Sequence, residues 1–102
     1  MPTTHDDIRS WLKEAKKLKS THLVVACDTF DHDDYPMFFR LVPFGQDVTA
    51  PGEYELVKRV HNLRDWVRNN LTGQNMQICM EVYRIADDWE GQLKLNRCFR
   101  YE

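Results

Sequence analysis

The sequence is short of the features that most readily betray a function. It has three cysteines, Cys27, Cys79 and Cys98. They are too few and too widely spaced for a disulfide framework, and no C-x-x-C pair occurs to suggest a zinc knuckle. Cys27 and Cys79 sit inside apolar runs, so each reads most simply as a buried thiol. No run of about 18 apolar residues is present to span a membrane. No N-terminal apolar stretch of the secretory kind is present either, so cytoplasmic residence is expected. A basic surplus is also missing: 14 Lys and Arg stand against 16 Asp and Glu, a formal net charge of -2. Duplex binders use such a surplus to neutralise phosphates, so nucleic acid is disfavoured as a partner. There is no G-x-G-x-x-G, no Walker-type phosphate loop and no G-x-S-x-G elbow. No internal repeat or low-complexity segment occurs.

What is present describes one folding unit. The chain has 102 residues, 42% of them apolar and 29% charged. That suits a single domain over 1–102 with one core. Thr4-His5-Asp6-Asp7 has the hydroxyl-to-acid spacing of a capping box. Ile8, Trp11, Leu12, Ala15 and Leu18 follow at helical spacing, with Lys13, Lys16, Lys17 and Lys19 off that stripe. Leu23-Val24-Val25-Ala26-Cys27 is continuously apolar and predicts a strand covered on both faces. Met37 to Val42 predicts a second strand with Pro36 at its first position, pairing antiparallel with the first.

Residues 43–52 read as irregular. Leu56, Val60, Leu63, Val67 and Leu71 predict a second helix from near Glu53 to Asn70. From Asn75 the period becomes two. Met76, Ile78, Met80 and Val82 fall on one side, and Gln77, Cys79, Glu81 and Tyr83 on the other, as in a half-buried strand. The tail leaves two alternatives. Asp87 and Asp88 can cap a last helix, in which Gly91 costs about 1 kcal/mol. Otherwise 87–91 is a turn before a fourth strand.

The chemistry-bearing segment is Asp28 to Tyr35. Asp28, Asp31, Asp33 and Asp34 gather around His32 at the carboxyl end of the first strand. Close carboxylates repel, so a counter-charge is expected. A divalent cation held by Asp28, Asp31 and Asp34 is one offset, although the spacing is not that of a calcium loop. A second is a basic side chain folding back from Arg40, Lys58, Arg59 or Arg64. A third is a basic partner, with Phe30 and Tyr35 as aromatic anchors. The plainest reading is a polar loop solvated by water. Asp28, next to the covered strand, serves equally as a turn cap. Cys27 and His32 are close in sequence, but no third orienting group supports nucleophilic catalysis.

The block from Thr21 to Pro36, with its core C-D-T-F-D followed by D-Y-P, resembles a block in small hypothetical proteins of bacteria and bacteriophages. Stretches like Asn75-Met76-Gln77 and Met80-Glu81-Val82-Tyr83 extend the resemblance over most of the chain. Between Val42 and Asn75 this chain is longer. The resemblance implies a phage or mobile-element setting, in which small accessory proteins act by binding host components. It implies no catalytic role.

The expected fold is α+β: a small, mainly antiparallel sheet of three or four strands with two or three helices packed on one face. Its exposed edges favour a homodimer. The expected function is that of a non-enzymatic binding protein. It would engage a protein or small-molecule ligand through Asp28, Phe30, Asp31, His32, Asp34, Tyr35 and Arg64. No cofactor is required by that reading. The alternative is a metal-dependent phosphoester hydrolase using the same aspartates.

Overall fold

Thr4 and Asp7 form the capping box their spacing predicts. The Thr4 hydroxyl accepts from the Asp7 N–H at 3.2 Å, and the Asp7 carboxylate accepts from the Thr4 N–H at 2.9 Å. The helix they start, α1 (His5–Lys17), buries Ile8, Leu12 and Ala15. The computed structural model describes residues 3–44 and 56–102. After α1 come β1 (His22–Asp28), β2 (Asp33–Leu41), β3 (Val57–Val60), α2 (Leu63–Asn70), β4 (Gln77–Arg84) and α3 (Trp89–Leu93). The strands form one sheet in the order β3-β2-β1-β4. β1 pairs antiparallel with β2 and β4, and β2 pairs parallel with β3. The α+β architecture with a mainly antiparallel sheet is therefore as expected.

β1 is central, and its four apolar residues Leu23 to Ala26 are buried. Leu23 and Val25 pack with Ile8, Leu12, Phe38, Tyr83 and Leu93. Val24 and Ala26 pack on the other face with Phe39, Val60, Leu63, Val67 and Val82. The edge of Trp66 closes on Phe39 at a ring separation of 4.7 Å. The helices thus divide between faces. α1 and α3 share the first and are joined by Arg9, which grips Glu90 with two hydrogen bonds of 2.7 and 2.9 Å. α2 lies on the second. Packing on one face alone would leave Val24 and Ala26 in water.

The predicted helix over 53–70 proves to be two elements. Residues 53–55 lie outside those described, Val57–Val60 is strand, and helix begins only at Leu63. Asn62 caps it by accepting from the Asp65 N–H at 3.1 Å. Val60, Leu63 and Val67 still reach one core, because the strand feeds directly into the helix on that face. The helical spacing therefore found four of its five buried residues, Val60, Leu63, Val67 and Leu71, in the wrong geometry, while Leu56, ahead of the strand, is 62% exposed.

The predicted alternation in β4 is broken once. Val25 pairs with Glu81 and Ala26 with Cys79, so Met80 is the extra residue of a bulge. The bulge moves Cys79 to the face of Val82, while Glu81 stays with Tyr83 beside Val25. The tail takes the helical alternative, and no further strand forms among the described residues beyond it. Asp88 caps α3, and Phe99 then makes a single parallel bridge to Val82. With Thr72 opposite Ile78, and with Gln92 accepting from the Arg84 N–H and donating to the Arg84 carbonyl at 2.8 and 2.9 Å, the outer edge of β4 is largely covered. An exposed edge there is thus not available for strand pairing between copies. β2 meets β3 only over Phe38–Leu41, so Pro36, opposite Val25 and inside β2 rather than at its start, lies beyond that ladder.

His22 is 2% exposed. Its Nδ1 is 2.8 Å from the Thr21 hydroxyl and its Nε2 is 3.2 Å from the backbone oxygen of Glu102. The Thr21 oxygen already accepts from the Leu41 N–H at 2.8 Å. A neutral ring therefore fits, accepting at Nδ1 and donating from Nε2. Burial lowers its pKa below the ordinary 6.5. The unfolded chain then binds a proton that the folded chain resists. Stability is greatest above that value and is lost as pH falls through it. Thermal unfolding of wild type and His22→Gln between pH 7.5 and 5 checks this. The wild type should lose more stability than the variant over that interval; parallel curves would contradict the assignment.

Candidate functional site

The carboxyl end of β1 is a hairpin whose four-residue loop, 29–32, closes when the His32 N–H donates to the Asp28 carbonyl at 2.7 Å. Asp28 shapes this loop. Its Oδ1 accepts from the Phe30 N–H at 2.8 Å and, more loosely, from the Asp31 N–H at 3.5 Å. This is the turn-capping role open to an aspartate at that position. A second turn, 73–76, lies against the first, because the Thr29 N–H donates to the Met76 carbonyl at 2.8 Å. Both turns carry a non-glycine residue in the left-handed region: His32 at φ 59° and Met76 at φ 63°. For a long side chain such as Met76 that conformation costs of order 1 kcal/mol or more.

The tip displays large apolar side chains beside its acids. Phe30 is 75% exposed and Met76 54%. Asp31, His32 and Asp33 are exposed around them, and Asp28 is half-buried. Asp34, also half-buried, turns towards α1. With Glu81 it lines a cleft of about 320 Å³ that His5 and Lys94 also border. The ion pairs among the described residues are Arg9 with Asp6 and with Glu90, and a 4.0 Å contact between Arg84 and Asp87. None of the four loop carboxylates takes part.

The remaining expected residues lie elsewhere. Tyr35 packs beneath the sheet with Val24 and Ala26, its hydroxyl buried without a hydrogen bond among the described residues. It is half-buried against the core, whereas Phe30 stands out from the tip. Arg64 lies over the Tyr101 ring at 5.0 Å. Arg40 donates to the Lys19 and Leu18 carbonyls at 2.9 and 3.2 Å, capping the end of α1 instead of returning to the loop. The aspartates are not gathered around a common point. Among the described residues no three His, Cys, Asp or Glu side chains are placed to hold a metal ion. Cys27 and Cys79 are half-buried at the sheet's end, and Cys98 is the fully buried thiol. Burial raises the pKa of Cys27 and pushes Cys79 up to about 11, leaving both as thiols at neutral pH.

Sequence reasoning found the acidic loop through its composition. It missed Met76, whose exposure follows from the register of β4, and Glu81, whose place beside Asp34 in the cleft depends on contacts between distant strands. No described helix is long and apolar enough to cross a membrane. Compared with known proteins, the chain matches no family model, no curated protein and no solved structure.

The two kinds of carboxylate at the tip should separate in stability measurements. Asp28→Ala removes the loop's internal acceptor and should cost about 1 kcal/mol, whereas Asp31→Asn should stay within about 0.5 kcal/mol of wild type. Met76→Gly relieves the left-handed strain and should raise stability by up to about 1 kcal/mol despite the flexibility glycine adds. Denaturant unfolding reads all three, and a destabilised Met76→Gly would show that the conformation carries no strain.

Proposed function

We propose that this protein is a non-enzymatic binding module that docks a basic partner protein on its acidic hairpin tip. The observation that carries the reading is Phe30, a large aromatic side chain held out at 75% exposure between carboxylates that no described cation neutralises. An aromatic group buried at the centre of an interface supplies much of its affinity. Surrounding charges steer the approach and set the orientation. The paired turns support the same reading, since strained backbone persists where function selects it. A bacteriophage or mobile-element setting, as the sequence resemblance implies, suits a small protein that acts by occupying a host component. The partner's matching surface carries Lys or Arg around an apolar pocket.

Affinity capture from host extract with wild type and tip variants tests the proposal. A basic protein should be retained by the wild type and lost progressively as salt is raised. Phe30→Ser should weaken its binding by about 30-fold, the scale of a 2 kcal/mol anchor. Asp31→Asn with Asp33→Asn should slow its association. Retention unaffected by all three substitutions would remove the tip as the docking surface.

A further inference from the structure

The opposite end of β1 holds a cleft that the tip does not involve. Its volume is about 530 Å³, within the range of small-molecule sites. It opens where the end of α1, the start of β1 and the end of β4 meet, and its lining includes the polar Lys16, Ser20 and Arg84 and the apolar Leu41, Ile85 and Ala86.

Ser20 is the unusual member. It is 7% exposed, and its hydroxyl makes no hydrogen bond among the described residues. A buried hydroxyl without a partner costs about 1–3 kcal/mol. The chain is steered into this position. Lys19 takes the left-handed conformation at φ 61°. This closes α1 with paired bonds from the Lys19 N–H to the Lys16 carbonyl and from the Ser20 N–H to the Ala15 carbonyl, at 3.1 and 2.9 Å. The backbone donor of Ser20 is thereby consumed and its hydroxyl remains. His22, behind it, has both ring nitrogens engaged and fixes the start of β1 without a free donor of its own.

The charges at the cleft favour an anion. The guanidinium of Arg84 meets Asp87 only at 4.0 Å, and the Lys16 ammonium stands 6.0 Å from the Trp89 ring, at the outer limit of a cation–π contact. Against these cations stands Glu102, which also lines the cleft.

We propose that this cleft binds a small organic anion. Its phosphate or carboxylate head is held by Lys16, Arg84 and the Ser20 hydroxyl, and its apolar body lies against Leu41 and Ile85. An arginine fork and a hydroxyl donor match either head group, and the apolar wall selects a ligand with a carbon body over a bare ion. This site is independent of the hairpin tip and survives if the docking reading fails.

Titration of the full chain with phenyl phosphate, benzoate and neutral benzyl alcohol, followed by amide NMR shifts, tests it. At least one anion should give saturable shifts at Ser20, Thr21 and Ile85 at millimolar concentration, and the alcohol should not. The relative response to the two anions identifies the head group. Arg84→Gln and Ser20→Ala should each weaken binding about tenfold, the loss of one charge-assisted hydrogen bond. Glu102→Gln should tighten it by removing the opposing charge. Ser20→Ala deletes a hydroxyl that has no partner among the described residues, so the variant should fold at least as stably as wild type. Shifts that do not saturate, an equal response to the alcohol, affinities unchanged in Arg84→Gln and Ser20→Ala, or weaker binding in Glu102→Gln would each overturn the proposal.

Discussion

Leu23, Val24, Val25 and Ala26 have at most 1% exposure because α1 with α3 closes over one face of β1 while α2 closes over the other. Each large apolar side chain so buried contributes roughly 1.5–3 kcal/mol before entropy is charged against it. Leu23, Val24 and Val25 together therefore match in gross terms the net stability of a small domain. Both edges of β1 are also consumed, by β2 and β4. A slip of one residue would exchange the two faces, and both helix layers resist that exchange. The strand is held from four sides, and the other elements take their positions from it.

The two ends of β1 are consequently rigid supports of opposite character. The carboxyl end delivers Asp28 into a turn that displays Phe30 among acids. The amino end begins at Ser20 and His22, a buried hydroxyl and a buried imidazole beside two cations. Neither end needs a mobile loop to place its groups. The β4 edge, which could have paired with another chain, is closed by Thr72, Phe99 and the Gln92 amide. Gln92 behaves there as a short piece of strand, using its side chain to satisfy the Arg84 backbone.

Much of this was legible in local sequence. The capping box at Thr4, the unbroken apolar run of β1 and the acids after it each carry their cause within a few residues. What stayed illegible depends on pairing across distance. Val57–Val60 joins a helical pattern in sequence, yet it is a strand because β2 offers it an edge. The bulge at Met80 is set by the partner strand, and it moves Cys79 away from the face that plain alternation gives it. The placement of α2 opposite α1 follows from the burial of both faces of β1, which the sequence signalled while the expected helix arrangement ignored it. The anion cleft had no local signature, because it draws on the end of α1, the start of β1 and the end of β4.

Residue-resolved amide hydrogen exchange tests the central claim most directly. If β1 is clamped by both helix layers and both neighbouring strands, the amides of Leu23 to Ala26 exchange only through global unfolding, with protection equal to the full unfolding free energy. The loop amides of Phe30 and Asp31 then exchange through small local openings. Exchange of the β1 amides well below the global limit, at the level of these loop amides, would contradict the account.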